Sequence, residues 1–300
     1  MAPVGTLAVG LAFLLDAAVG EPPRSIHPVA KLGQIIAVLD RPVAYPRAAG
    51  IVLAVVLPVL TALVAAVPVW LLEGVNQWIA AGLAGLILFT MVSHRMLTSL
   101  ATTVIDASES DPETAKRDII GLVGRDTDSL GPGELRSAAV ESLAENLADG
   151  LVGPLLAFGL GSLLSLPVAV GAAVWVKAVN TLDSMLGYPD RPFGTGSARL
   201  DDLVEWVPAR LSAGLIALAA GSPGTLSQAR EWATAPPSPN SGWPMAVMAA
   251  TVESRLVKPG VYDLNPTASL PDGPTATRAV RVGRRAGLLA FALAGVIAWF

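Results

Sequence analysis

Residues 51–72 run for 22 positions without one charged side chain. Wound as an α-helix, such a segment rises roughly 33 Å, which matches the hydrocarbon core of a bilayer. The rest of the chain agrees with that solvent. It is 53% hydrophobic and only 15% charged, where an ordinary soluble domain is about a quarter charged. Its 29 Gly and 24 Pro are tolerated inside apolar helices when neighbouring helices re-satisfy the backbone. A membrane protein is expected, and a water-soluble enzyme is disfavoured.

Residues 78–92 continue the apolar theme after a polar break at 73–77, so the two runs read as a tight helical hairpin. Residues 151–176 are apolar throughout but carry Gly159, Gly161 and Pro167. Two readings stay open there: one tilted helix, or two short helices forming a re-entrant hairpin. Weaker segments are 4–20, which holds Asp16, 207–221, which holds Pro208 and Arg210, and 286–300. No positive charge precedes 4–20 and no small-x-small pattern follows it, so a retained helix is expected rather than a signal peptide.

The fold expected is all-α and without a sheet: a single multi-pass integral membrane domain over residues 1–300. Polar helices and loops are expected to gather on its cytoplasmic side, in the cell membrane. Sidedness follows from cations: segments 21–50, 93–150, 177–206 and 222–285 carry four, five, three and seven Lys or Arg, and the 73–77 turn none. Bringing 177–206 to the same side requires 151–176 to enter and return.

Several chemistries drop out at once. The chain has no cysteine, which removes disulfides, thiolate zinc sites, iron–sulfur clusters and a cysteine nucleophile. Its net charge of −4 and lack of any Lys/Arg run leave no footprint for nucleic acid. P-loop, Rossmann, H-E-x-x-H and G-x-S-x-G signatures are missing, so any nucleotide is held without a standard P-loop.

What remains is acidic. At 100° per residue Glu141, Glu145 and Asp149 fall within a stripe of about 80° on one helix, with Asn146 beside it. That stripe is either a carboxylate set for magnesium bridging phosphates or a solvated helix face. Lys177, Asn180 and Asp183 share a face at the end of an apolar run, as a substrate contact or as interfacial snorkelling and capping. Asp201, Asp202 and Glu205, flanked by Arg199 and Arg210, read as a metal–phosphate clamp or as acids at a helix start. The turns holding Arg125 and Asn240 precede helix-like runs and suit either an anion or simple capping. His27 is an acid–base candidate or a buried hydrogen-bonding histidine.

Taken in order, these residues resemble a known family. Asp16, Gly20-Glu21-Pro22 and His27-Pro28-Val29 are followed by Gly124-Arg125-Asp126-Thr127 and by Glu141-Ser-Leu-Ala-Glu145-Asn146-x-x-Asp149-Gly150. Then come Asn180-Thr181-Leu182-Asp183-Ser184-Met185-x-Gly187-Tyr188, Ala198-Arg199-Leu200-Asp201-Asp202, Pro208-Ala209-Arg210 and Ser238-Pro239-Asn240-x-Gly242-Trp243-Pro244. The set is similar to the CobD/CbiB family of cobalamin biosynthesis, the adenosylcobinamide-phosphate synthases, over most of the chain. Glu205 stands where the family pattern has Asn, and Ser93-His94-Arg95 matches only loosely.

The resemblance implies an ATP-dependent ligase that joins adenosylcobyric acid to aminopropanol, or its phosphate, through an amide bond. It implies ATP and Mg²⁺ as cofactors, a corrinoid and an amino alcohol as partners, contact with membrane lipid, and association with other enzymes of the corrinoid pathway. On this reading Asp201, Asp202, Glu145 and His27 are catalytic. Arg125, Lys177, Asn180, Asp183, Arg199, Arg210 and Asn240 bind substrate or phosphate, and Glu141, Glu145, Asp149, Asp201 and Asp202 bind metal. The competing readings are a Mg²⁺-dependent prenyl- or phosphatidyl-type membrane transferase, which needs no ATP, and a transporter, which would show ionisable groups at mid-membrane depth and inverted repeats.

Overall fold

The computed structural model describes residues 4–120, 127 and 129–300. Helices α1 (Val4–Val19), α2 (Pro28–Leu39), α3 (Pro46–Glu73) and α4 (Gln77–Phe89) lead into α5 (His94–Ser110), α6 (Pro112–Ile119) and α7 (Pro132–Leu147). A π-helical stretch, Ala148–Val152, joins α7 to α8 (Gly153–Ser162); α9 (Leu166–Leu186), a 3₁₀ turn at Pro192–Gly194 and α10 (Thr195–Val204) follow. Then come α11 (Trp206–Ala219), α12 (Thr225–Ala229), α13 (Gly242–Val252), strands β1 (Leu256–Lys258) and β2 (Tyr262–Leu264), and α14 (Gly273–Ile297). Two compact units result: Met1–Ser93, Asp149–Glu205 and Ala290–Phe300 in the first, His94–Ala148 and Trp206–Leu289 in the second.

Among the described residues, three helical stretches are long and apolar enough to cross a membrane: Pro46–Glu73, Gln77–Ser110 and Pro132–Ser162. The first two contain the expected runs 51–72 and 78–92. In α3 only 17% of the most apolar window is buried, and Ile51, Val55, Leu63, Val64 and Trp70 point outward. A helix that exposes such residues is built for lipid. Pro58 and Pro68 lie inside it, and the Thr61 hydroxyl donates to the carbonyls of Leu57 and Pro58, both at 2.9 Å. The three weaker segments fall short of a span: α1 has 16 residues, α11 has 14, and 286–300 is the end of the amphipathic α14.

Residues 151–176 are divided between two helices and are not one continuous helix. α8 and α9 are separate helices that pack on each other around a turn whose Ser165 accepts the Val168 N–H at 3.4 Å. Gly161 makes the hairpin tight, since a Cβ there would fall 2.7 Å from the Cα of Ala169.

The expectation of no sheet is corrected in one place. β1 and β2 pair antiparallel with Leu256 opposite Leu264 and Lys258 opposite Tyr262. Three residues per strand are too few for alternation to show in sequence; Gly260, at φ 74°, supplies the turn. In the second unit α7 packs against α5, α13 and β1, and every residue from Leu135 to Ala144 is buried. Arg136 is satisfied inside it: Nε donates to the Pro271 carbonyl at 2.7 Å, and Nη1 to Ser108 Oγ at 3.0 Å and Glu109 Oε1 at 2.9 Å.

Candidate functional site

The first unit gathers charge at the polar end of α9. Leu32 and Ile36 of α2 pack on Ala178, Leu182 and Leu186 of α9, which fixes the helix that carries Lys177, Asn180 and Asp183. Arg191 Nη2 donates to both carboxylate oxygens of Asp40, at 2.5 and 2.7 Å, and ties the segment after α9 to the end of α2. α10 is then laid across α9 and α3 on bare backbone. A Cβ on Gly194 would overlap the Leu186 carbonyl, and one on Gly196 would come 2.8 Å from the Cα of Ile51. Asp149, in the π-helical stretch before α8, stands about as many residues before the α8–α9 turn as Lys177 stands after it, and of the acids it acts most on Lys177.

The half-buried Lys177 feels four acids, in decreasing order Asp149, Glu205, Glu21 and Asp201. Acids outnumber bases here, and their carboxyls respond. Burial pushes Asp201 up to about 8, reinforced by Asp183 and Glu205 and opposed by a hydrogen bond from Asn180. Burial pushes Glu205 up to about 7 against the pull of Lys177. Asp183 is raised to about 6 by burial and then by Asp202; Asp202 is raised by burial and held back by Arg199. These are the shifts expected when desolvation and like charge both disfavour ionisation.

Glu205 is 1% exposed. Among the described residues neither of its carboxylate oxygens has a hydrogen-bond partner, and Oδ1 of Asp201 lacks one too. His27 caps α2, its Nδ1 accepting the Val29 N–H at 3.2 Å. Burial lowers its basicity, the nearby Glu21 raises it and Lys177 lowers it. The capping contact realises the hydrogen-bonding alternative for this residue and leaves Nε2 for other work.

Of the residues expected from sequence, His27, Asp149, Lys177, Asn180, Asp183, Arg199, Asp201 and Asp202 belong to this unit. Reasoning from sequence gave Glu21 no role beyond its place in the Gly20-Glu21-Pro22 motif, and read Glu205 with Asp201 and Asp202 as a clamp while noting that the family pattern has Asn there. The signal for Glu205 was its spacing, four residues after Asp201 on the same helical face.

Glu141, Glu145, Arg210 and Asn240 belong to the second unit. Glu141 is not on a wetted face. It is 3% exposed, and accepts from Ser137 Oγ at 2.7 Å and from the Tyr262 hydroxyl at 2.6 Å, so its carboxylate serves the fold. Arg210 stacks on Trp206 at 4.4 Å and Trp243 at 5.5 Å. Its Nη1 donates to Asn240 Oδ1 at 2.7 Å and to the Trp206 carbonyl at 2.8 Å, and Nη2 to the Pro239 carbonyl at 3.2 Å. Arg210 and Asn240 thus bind one another. Arg125 lies outside the described residues.

The five acids expected to bind metal are therefore shared between two units, and among the described residues no three His, Asp or Glu side chains stand close enough to hold a metal ion. What the first unit offers is a set of carboxylate oxygens for a hard or hydrogen-bonding cation, beside Lys177 and Arg199 for an anion.

The family model described as CobD/Cbib protein matches residues 9–286. A probable cobalamin biosynthesis protein CobD from Methanothrix thermoacetophila is 33% identical over 301 residues, covering 96% of this chain and 95% of its own. The protein of the same description from Methanothermobacter thermautotrophicus is 34% identical over 267 residues, 85% of this chain and 84% of its own. The cobalamin biosynthesis protein CobD of Klebsiella pneumoniae is 36% identical over 272 residues, 85% and 83%. No solved structure matches. A family model that spans nearly the whole sequence, and relatives that align almost end to end, agree with the ordered motifs: the chain belongs to the CobD/Cbib family.

Proposed function

We propose that the chain is an amide-forming enzyme of cobamide biosynthesis, joining adenosylcobyric acid to aminopropanol or its phosphate at the expense of ATP. The relatives named cobalamin biosynthesis proteins support the pathway. The observation that carries the chemistry is the carboxylate cluster of half-buried Asp183, Asp201 and Asp202 and buried Glu205 beside Lys177.

A carboxylate does not accept an amine at neutral pH. If a carboxylate oxygen of the corrinoid attacks the γ-phosphorus of ATP and ADP leaves, the resulting acyl phosphate presents a carbon that the amine attacks with loss of inorganic phosphate. Both steps move negative charge that needs preorganised cations. The oxygen donors of the cluster suit magnesium without a three-acid cage, since that ion is held by one or two carboxylates when substrate phosphate oxygens and water complete its shell. Asp202 and Asp149 would supply carboxylate oxygens to the ion, which when bound would neutralise phosphate charge. Lys177 and Arg199 steady phosphate oxygens, Asn180 orients the Asp201 carboxyl, and His27, held by its Nδ1 contact, keeps Nε2 for a proton.

The test is turnover by purified, detergent-solubilised protein supplied with adenosylcobyric acid, aminopropanol phosphate, ATP and Mg²⁺. Adenosylcobinamide phosphate and ADP are the expected products in equal amounts. Product formed without ATP, or no corrinoid product at all from folded protein, overturns the proposal.

A further inference from the structure

Among the described residues, three acceptor oxygens of this unit stand out because they have no hydrogen-bond partner: Oδ1 of Asp201 and both carboxylate oxygens of Glu205. The two residues sit one turn apart, Glu205 donating its N–H to the Asp201 carbonyl at 2.8 Å at the end of α10, so the carboxylates project from one face. Leaving such oxygens buried and unmet costs the full desolvation of each. Lys177 acts on both electrostatically but gives no hydrogen bond to any of the three oxygens.

We infer that Glu205 and Asp201 together receive the primary ammonium group of the amino alcohol co-substrate. A primary ammonium carries three N–H donors and no acceptor, which matches the three unmet oxygens in number and, with both carboxyls ionised, in kind. Magnesium suits this spot less well: it sheds water reluctantly, and Glu205 is only 1% exposed. The acids named for metal in the proposed reaction are others: Asp202, which Arg199 acts on, and Asp149, the acid that acts most on Lys177. Glu205 is thus a substrate-positioning residue, and it makes the site select an amine over an isosteric neutral end.

This inference rests on the amide-forming reading, and its test separates the two. Isopropyl phosphate is aminopropanol phosphate without its amino group. Binding of each to detergent-solubilised protein is measured by titration calorimetry with neither corrinoid nor ATP present. The wild type is expected to favour aminopropanol phosphate at least tenfold. Glu205→Gln should abolish that preference while leaving isopropyl phosphate affinity unchanged, and Glu205→Asp should restore part of it. Thermal unfolding shows whether each variant is folded; if Glu205→Gln is not, the Glu205→Asp comparison and the wild-type preference still decide. Equal affinity of the wild type for the two phosphates, no binding of either at millimolar concentration, or an undiminished preference in Glu205→Gln overturns the inference. Corrinoid turnover in the wild type with an amine KM unaltered by Glu205→Gln would sink it and leave the reaction standing. A Glu205-dependent amine preference without corrinoid turnover would do the reverse.

Discussion

The Tyr262 hydroxyl reaches Glu141 Oε2 at 2.6 Å across 121 residues of sequence. On the same glutamate, Ser137 donates to Oε1, and Ser137 in turn accepts the Val257 N–H at 2.8 Å. The short β1–β2 hairpin is thus pinned to α7 at two points by a buried, charge-assisted network, and the acid belongs to the architecture of the second unit.

Removing the Tyr262 donor should therefore act on stability. Tyr262→Phe is expected to cost about 1–3 kcal/mol, the range for stripping a partner from a buried charged acceptor. Thermal unfolding in detergent checks it. A change below roughly 0.5 kcal/mol, typical of surface substitutions, would return Glu141 to a solvated face.

Turnover should respond at α10 instead. Asp201→Asn and Asp202→Asn are each expected to lower kcat by about 100-fold or more, the scale of losing one preorganised electrostatic group. Arg199→Lys should also be poorly tolerated if a planar fork is needed there. Wild-type kcat and KM in all three folded variants would remove the cluster from the reaction.

Stability should fall as pH rises through the range where Asp183 ionises. Its folded value of about 6 lies above the ordinary 3.8, so its contribution is fully present below about pH 4 and is lost as pH climbs through 6. Asp183→Asn should narrow the gap between unfolding midpoints at pH 4 and pH 7. An unchanged gap would mean that the carboxyl is not held in a desolvated, like-charged setting.

Two glycines with opposite surroundings test the backbone seam under α10. Gly194→Ala drives a methyl into the Leu186 carbonyl and should destabilise the first unit and reduce activity. Gly214→Ala, inside α11 with nothing within 4 Å of the added carbon, should stabilise by about 0.5–1 kcal/mol. Parallel unfolding curves for the two variants check both.

The cation count predicts that the polar ends face the cytoplasm. Thr195→Cys and Ser238→Cys, each the sole thiol in this cysteine-free chain, should be protected from an impermeant maleimide in intact cells and react after permeabilisation. Labelling of Thr195→Cys from outside would reverse the arrangement.

Residues 51–72 were legible because lipid imposes its demand on one helix alone, so α3 needs no knowledge of its neighbours. α11 is also largely apolar, yet its Pro208, Ala209, Ser212, Ala213 and Ile216 are buried and it packs on α13; hydropathy does not tell lipid from protein as the covering. The acid stripe that starts on α7 is a similar case: charge spacing gives a face, and only the fold says that Glu141 on that face is covered. Its phase also fails beyond Leu147, because the π-helical Ala148–Val152 winds more residues per turn than the α-helix assumed. Asp201 and Asp202 were readable as an adjacent acidic pair, whereas Glu21 comes to Lys177 from a distant part of the chain.

The turn between α8 and α9 bears no reactive group, yet it works as a ruler. Lengthening either arm by one residue would slide Asp149 past Lys177 by about 1.5 Å and swing it about 100° around its helix, separating a charge pair without touching either partner. Chemistry at the polar end of the hairpin is thereby set by a distance counted off at the opposite, apolar end.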